Sequence, residues 1–324
     1  MKNTRNKKIL FTGGAGYIAS TVIQYFIKNG VKESDIIVLD NLSNSDGTYI
    51  PSESVFVQCD LRNRSEVIKV FDDYDIGTVL HFASLIEVGE SFKKPDLYFS
   101  NNVVGGLNLL DAMKKVGCKD LIFSSTCAVY GDPDEIPIKE TERKKPINPY
   151  GESKFILEQL IRWYSEVFDI NFAILRYFNA AGSAYGIKEG HDPETHIIPV
   201  MMRAILCDDE FLVFGDTYDT KDGTCVRDYL HVLDLASAHL KALERLKKGK
   251  SFEVNIGREE GNSIFDIIAI VEKVTNKKLN YSIVGKRSGD PDVLISDSSK
   301  AKKILNWRAK YTMMDIIKSI KDLY

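Results

Sequence analysis

Lys8-Ile9-Leu10-Phe11-Thr12-Gly13-Gly14-Ala15-Gly16-Tyr17-Ile18-Ala19 is the stretch on which the rest of the chain turns. Its first five residues are a short apolar run of the kind that forms a buried strand. Tyr17–Asn29 reads as a helix, so the glycines between occupy a strand-to-helix turn. Without side chains, Gly13 and Gly16 let the backbone bend sharply and come close to a bound group. The helix that follows presents free N–H groups and a positive dipole end, a setting suited to a pyrophosphate.

Outward from this turn the same rhythm repeats. Ile36–Asp40, Val55–Gln58, Thr78–Phe82, Leu121–Ser124 and Ala173–Arg176 are short, continuous and apolar, as parallel strands covered on both faces are. Helices are expected between them at Ser65–Phe71, Asp96–Val116 and Pro149–Phe168. This alternation predicts an α/β fold with a doubly wound parallel sheet. After Phe178 the rhythm changes. Asn179–Tyr229 is rich in Gly, Asp and Thr, with a helix around Pro199–Leu206. Helix His231–Leu246 and strand Phe252–Ile256 return the chain to the sheet, and a helix at Ser263–Val274 and a loop at Gly285–Asp297 follow. The expected division is 1–178 plus 229–256 for the cofactor, and 179–228 plus 257–324 as a smaller, interleaved substrate domain.

Composition narrows the classes. With 324 residues, 44% hydrophobic and 27% charged, the chain matches an ordinary globular protein. A net charge of −3 gives no basic surface for nucleic acid. The apolar run after Lys2 to Lys8 is too short for a signal peptide or a membrane span, so a cytoplasmic protein is expected. The cysteines Cys59, Cys118, Cys127, Cys207 and Cys225 are odd in number and contain no C-x-x-C pair, which fits reduced thiols. His191 and His196 are close in sequence, but no carboxylate or thiol pattern completes a metal site, and none is expected.

Asp40 ends the second strand about 20 residues beyond the glycines. There an acid suits the two ribose hydroxyls of NAD and repels the 2′-phosphate of NADP. Tyr150-Gly151-Glu152-Ser153-Lys154 puts a phenol and an ammonium at i and i+4, on one helix face. A phenol is a poor base at neutral pH, but a neighbouring ammonium and an oxidised nicotinamide favour its phenolate. Tyr150 then serves as acid and base for an alcohol whose hydride goes to NAD. Ser124-Ser125-Thr126, one βα unit earlier, supplies a hydroxyl for the same oxygen.

The spacing Gly13-x-x-Gly16-x-x-Ala19 resembles the extended short-chain dehydrogenase/reductase superfamily, whose Ser/Thr, Tyr and Lys do the chemistry. By that resemblance Thr126, Tyr150 and Lys154 are catalytic, and Asp60-Leu61, Phe82-Ala83-Ser84 and Asn101 contact the cofactor. Sugar-nucleotide 4,6-dehydratases carry Asp-Glu after the threonine, and UDP-glucuronate decarboxylases a glutamate at the second position. Here Cys127 and Ala128 stand there and supply no such pair.

Longer segments are similar to the UDP-glucose 4-epimerase family. They include Leu39-Asp40-Asn41-Leu42-Ser43-Asn44-Ser45, Val88-Gly89-Glu90-Ser91, Arg176-Tyr177-Phe178-Asn179-Ala180-Ala181-Gly182, Asp222 to Ala236 and Arg287-Ser288-Gly289-Asp290-Pro291. The similarity runs from about Ile9 to Trp307. It implies C4 epimerisation of a UDP-hexose through a 4-keto sugar, most directly glucose and galactose, with NAD kept bound. It adds Tyr17, Ile18, Asn41, Asn44 and Phe178 to the cofactor contacts. It implies that Asn179, Arg227 and Arg287 hold the diphosphate, Asp290 the uridine ribose, and Leu212 to Phe214 the uracil. Leu294 falls where the family lines its sugar pocket, and is otherwise a core residue. A homodimer through Asp96–Val116 and Pro149–Phe168 is also implied. One departure is Ile86, where many members carry a lysine near the nicotinamide ribose; Glu87 follows it. That leaves a UDP-N-acetylhexosamine, UDP-pentose or UDP-uronate open as substrate. A UDP-sugar oxidoreductase and a silent NAD-binding regulator are the rival classes.

Overall fold

The computed structural model describes residues 7–189, 194–287 and 290–323, so Lys2, His191, Ser288 and Gly289 lie outside the described residues. β1 (Lys8–Thr12) leads through the glycine turn into α1 (Tyr17–Lys28), then β2 (Ile36–Asp40), β3 (Val55–Gln58), α2 (Arg64–Asp73) and β4 (Ile76–His81). Two short helices, α3 (Val88–Lys93) and α4 (Pro95–Tyr98), precede a π-helical turn over Phe99–Val104. α5 (Gly105–Val116), β5 (Asp120–Thr126), α6 (Pro149–Phe168) and β6 (Asn171–Tyr177) complete the first half. The second half holds β7 (Asn179–Ala181), α7 (Ile197–Cys207), β8 (Phe211–Phe214), β9 (Val226–His231), α8 (Val232–Leu246) and β10 (Phe252–Ile256). It ends with β11 (Gly261–Ser263), α9 (Ile264–Thr275), β12 (Tyr281–Val284), β13 (Val293–Leu294), α10 (Ser299–Leu305) and α11 (Met313–Lys321).

Seven strands form one sheet in the order β10-β6-β5-β4-β1-β2-β3, every neighbouring pair parallel. Alternation along each strand explains the layers. Ile9 and Phe11 of β1, with Ile36 and Val38 of β2, enter the core shared with α1 and α8. Leu10, Ile37 and Leu39 enter the opposite core, under α2, α5 and α6. Both faces are covered, which is why these strands read as unbroken apolar runs. Val22, Ile23 and Phe26 of α1 are fully buried, and each contributes roughly 1.5–3 kcal/mol relative to exposure. The order switches between β1 and β4, so their carboxyl ends open the crevice in which such sheets take ligands.

A smaller sheet gathers β7, β11 and β13 around β9, and β8 pairs with β12. α7, α9 and α11 bury Met201, Met202, Ile267, Val271, Ile316 and Ile317 against Phe211, Val213 and Tyr229. Three expectations change here. The helix over Asp96–Val116 is three pieces, α4, the π turn and α5; π turns insert a residue and gather at functional sites. The loop over Gly285–Asp297 contains β13, and Ile138 bridges Ser296; a two-residue strand carries no alternation to read. The expected division also shifts. Residue 229 falls inside β9, and Ala301, Leu305 and Trp307 pack in the core beneath α1 and α8. The chain therefore crosses back to the large sheet once more.

Candidate active site

The glycine turn sits at the β1–β4 crevice. Gly13 has φ +65°, and a Cβ on it would stand 2.5 Å from the Ala83 nitrogen. Phe82 and Ala83 both donate to the Thr12 carbonyl, at 2.9 and 3.0 Å, which fixes that close approach. α1 starts with Gly16 as its N-cap, with no side-chain cap and no acid in its first turn. Its N–H groups and dipole are therefore directed at an anion. Tyr17 opens α1, but its phenol donates to the Gly182 carbonyl and ties the two halves together. Ile18 is half-buried against the α1–α8 core.

Asp40 is buried at the end of β2. One of its oxygens accepts from Ala15 N (3.1 Å) and the other from Leu42 N (2.8 Å). Each oxygen keeps a lone pair for a ribose hydroxyl. Asn41 Nδ2 donates to Asp60 Oδ2 (3.2 Å), and Arg62, hydrogen-bonded to Asp60, holds that carboxyl down to about 2. Leu61 is buried, Asn44 exposed, and Ser84 Oγ donates to the Leu85 carbonyl. Asn101 Nδ2 donates to Asn102 Oδ1 (2.9 Å) in the π turn. A glycine turn that admits close approach, an uncapped helix end and a buried acid with spare lone pairs together fit NAD.

The catalytic set lies beside this crevice. Asn148 caps α6 by accepting from Gly151 N (2.8 Å), and Pro149 occupies its first turn. A Cβ on Gly151 would stand 2.6 Å from the Ala128 carbonyl oxygen, so the start of α6 is pressed onto the turn after β5. That closeness brings Tyr150 to Thr126. Burial pushes the phenol up to about 12, with its hydrogen bond to Thr126 working the other way. Thr126 Oγ1 also accepts from Ala128 N (3.1 Å). Lys154 is buried, donates to the Ser124 carbonyl (2.8 Å) and lies over the Phe123 ring. Burial pushes it down to about 7, opposed by Glu158. The Cys127 thiol, likewise buried, is pushed up to about 12, so it is not a nucleophile at neutral pH.

The model of the NAD dependent epimerase/dehydratase family matches residues 9–257. This chain belongs to that family. It is 43% identical to the UDP-glucose 4-epimerase of Streptococcus mutans, over 94% of this chain and 92% of that one. Among solved structures it resembles UDP-glucose 4-epimerase from Brucella ovis in complex with NAD, with TM-score 0.92, 37% identity and 98% of each chain covered. The Bifidobacterium longum enzyme in complex with NAD+ and UDP gives TM-score 0.92 at 34% identity, again over 98% of each chain.

In this member of the epimerase/dehydratase family, the residues expected to hold a nucleotide sugar come from β7, β8, β9, β13 and the segment between β12 and β13. Leu212 and Phe214 project from the outer side of β8, opposite the core residues Phe211 and Val213. Arg287 lies 3.9 Å over the Phe214 ring. Stacking leaves its in-plane N–H donors available to phosphate. Arg227 Nη1 donates to the Val226 carbonyl, and Arg227 Nη2 stands 3.9 Å from Asp290. Asn179 is exposed at the start of β7 and lines a cavity of about 320 Å³ with Lys188, His196 and Arg203. Phe178 and Leu294 are buried in one cluster with Cys127 and Tyr130.

Sequence reasoning missed several groups. Asn102 is buried in the π turn; it accepts from Leu85 N (2.9 Å) and donates to Ser153 Oγ (2.9 Å), joining the β4 loop to α6. Its place in Asn101-Asn102-Val103 was the available signal. His81 Nδ1 pairs with Thr12 Oγ1 (2.7 Å), while its buried Nε2 meets no protein partner. His196 does have carboxylate company, since Glu189 and Glu194 approach its Nδ1 at 3.2 and 2.9 Å. Burial works to discharge it, but the Glu194 hydrogen bond and both acids prevail and lift it to about 9. Glu189, Glu194 and His196 thus bring three ligand atoms within 4.8 Å of one another, a grouping able to hold a metal ion that the sequence reading of this region did not anticipate. Thr195 Oγ1 donates to Glu87 Oε2 (2.7 Å), linking that cluster to the loop after β4.

Proposed function

We propose that this chain inverts the C4 hydroxyl of a UDP-hexose, interconverting UDP-glucose and UDP-galactose, with NAD retained between turnovers. The observation that carries the reading is Tyr150 set beside Thr126, where the start of α6 is pressed onto the turn after β5, with Lys154 buried one helical turn on. Cys127 and Ala128 follow Thr126, so the acid pair that an elimination needs is missing. The names of its relatives support the same substrate class.

Thr126 Oγ1 and Tyr150 Oη hold the sugar O4, and Tyr150 Oη takes the O4 proton. When bound, NAD supplies the acceptor for the C4 hydride and its return to the opposite face. Tyr150 then gives the proton back. Lys154, as ammonium, lowers the cost of the phenolate. Asn179, Arg227 and Arg287 hold the diphosphate, Asp290 the ribose, and Leu212 and Phe214 the uracil. Anchoring through the nucleotide leaves the 4-keto sugar free to present both faces. Gly13, Gly16, Tyr17, Ile18, Asp40, Asn41, Asn44, Asp60, Leu61, Phe82, Ala83, Ser84, Asn101 and Phe178 hold the cofactor. The cofactor part is 1–178 plus 229–256, joined by α10 and Trp307, and the remainder holds the UDP-sugar. Trp163 and Val167, one turn apart on α6, are 68% and 62% exposed and fit a homodimer face. No helix among the described residues is long and apolar enough to cross a membrane, and we place the enzyme in the cytoplasm.

The test is incubation with UDP-galactose, UDP-N-acetylgalactosamine and UDP-arabinose, followed by separation of products by C4 configuration. The expected result is UDP-glucose from UDP-galactose, no accumulation of NADH, and NAD as the cofactor extracted from denatured protein. Net NADH would make it an oxidoreductase, predominant NADP would remove the role of Asp40, and no turnover at all would leave a silent regulator.

Sugar choice rests on Leu294, which is 8% exposed beside Cys127 and Phe178. Leucine fills space that an acetamido group would need and offers it no hydrogen bond. Leu294→Ser is expected to raise kcat/KM for UDP-N-acetylgalactosamine relative to UDP-galactose by about 10–200-fold. An unchanged ratio in folded protein would return Leu294 to a packing role only.

A further inference from the structure

Tyr150, Lys154, Glu158 and Arg162 follow one another at four-residue steps along α6, and so form one stripe. On a helix that packs against a sheet, such a stripe is ordinarily apolar. Here Lys154 and Glu158 are 3% and 0% exposed. Glu158 Oε1 accepts from Ser125 Oγ (2.6 Å) and Arg176 Nε (2.8 Å). Its Oε2 accepts from Arg176 Nη2 (2.7 Å) and Arg162 Nη2 (2.9 Å). Arg176 and Arg162 both also reach Glu253 on β10, at 2.7 and 2.6 Å. Two acids and two arginines cancel, and Lys154 adds one positive charge. Removing these groups from water is costly, and apolar packing would stabilise the site equally well.

Resting on the acid/base role given above to Tyr150 and Lys154, we propose that Glu158 is a positioning residue for that pair. Its fixed carboxylate, one helical turn beyond Lys154, raises the share of Lys154 present as ammonium, and its bond to Ser125 holds the end of β5 that presents Thr126. Ser125 and Thr126 are neighbours on a strand and project to opposite faces, so one hydroxyl anchors the strand while the other faces substrate. Burial alone drives Lys154 towards its neutral form, and Glu158 opposes this.

Other charged and titratable groups meet this stripe. His81 on β4 and Tyr177 on β6 lie near Lys154 and Tyr150; burial pushes His81 down to about 3 and holds the Tyr177 phenol well above its ordinary value, so neither carries charge near neutrality. Tyr130 and Lys144, from the segment between β5 and α6, lie by Arg176 and Glu158. α3 to α5, packed against α6, bring Glu90, Tyr98 and Asp111, with Glu87 just before them.

The test compares Glu158→Gln with Arg162→Gln. A negative neighbour favours the protonated amine, so removing it lowers the Lys154 midpoint, and removing the positive Arg162 raises it. In protein labelled with 13Cε-lysine, with the Lys154 signal assigned by its loss in Lys154→Met, Glu158→Gln is expected to lower the midpoint by about one pH unit. Near pH 7 that reduces the ammonium fraction roughly fivefold, and the alkaline limb of the kcat profile moves down with it. Arg162→Gln moves both upward by less, because Arg162 is partly solvated. Unmoved midpoints in folded Glu158→Gln, or shifts of one sign in both variants, overturn the proposal. Should Glu158→Gln not fold, a fixed or lowered midpoint in Arg162→Gln does so instead. The NMR titration needs no turnover, so the expected shifts in a protein inactive on all UDP-sugars would sink the epimerase reading and leave the charge role of Glu158 standing.

Discussion

Tyr150→Phe is expected to lower kcat by about 10²–10⁴-fold, the usual cost of losing a positioned acid/base, while UDP affinity stays within a few-fold. The ring remains packed at the start of α6, where Asn148 and Pro149 set the helix independently of the phenol oxygen. What disappears is the titrating oxygen beside Thr126. On the proposed reading, binding energy rests elsewhere, on Arg227, Arg287 and Asn179. The check pairs steady-state rates on UDP-galactose with calorimetric titration of UDP. A mutant turning over at near wild-type rate would assign the proton transfer to another group, and one that lost UDP affinity as well would show that the phenol organises the whole pocket.

Gly13→Ala is expected to strip the cofactor. The position has φ +65°, which costs an L-residue about 1–2 kcal/mol. The new methyl would also stand 2.5 and 2.6 Å from the Ala83 backbone, which is fixed by its bond to Thr12. Relief requires the turn to open, at about 1–3 kcal/mol for such overpacking. At 1.4 kcal/mol per tenfold, NAD affinity should fall by about 10²-fold or more. NAD content after desalting and NAD titration measure it. Gly30→Ala is the control, because Gly30 has φ +95° but nothing within 4 Å of its added Cβ. If both variants lost cofactor equally, close approach at Gly13 would not be what the turn provides.

The large sheet was legible because burial on both faces leaves a visible mark, an unbroken apolar run such as Ile36 to Leu39. The smaller sheet left little. β7, β11 and β13 are two or three residues long and pair with β9, far away in sequence, so no local period announces them. The catalytic set divides the same way. Tyr150 and Lys154 are a helical turn apart and could be placed together from spacing alone. The partners of Glu158 come from positions 125, 162 and 176, the two arginines also reach Glu253, and only the fold brings β5, β6 and β10 beneath α6. Likewise Glu189 and Glu194 stand near His196 in sequence, yet spacing alone does not set their oxygens against its ring. Backbone twists inside a helix are also silent, so the π turn around Asn102 could not be read.

One face of the large sheet is closed by α8 lying against α1. On a ribosome, β1 to β6 emerge first, and at about 5–20 residues per second α8 is finished only roughly 4–14 s after Tyr177. Throughout that interval Ile122 and Leu175, on the strands that α8 packs against, lack that cover. A half-covered parallel sheet is open to association with other nascent chains. β10, which flanks β6 at the sheet's edge, arrives later still. The vulnerable moment in the life of this molecule is thus its own translation, and soluble yield will follow growth temperature and chaperone supply even in variants whose finished fold is unchanged.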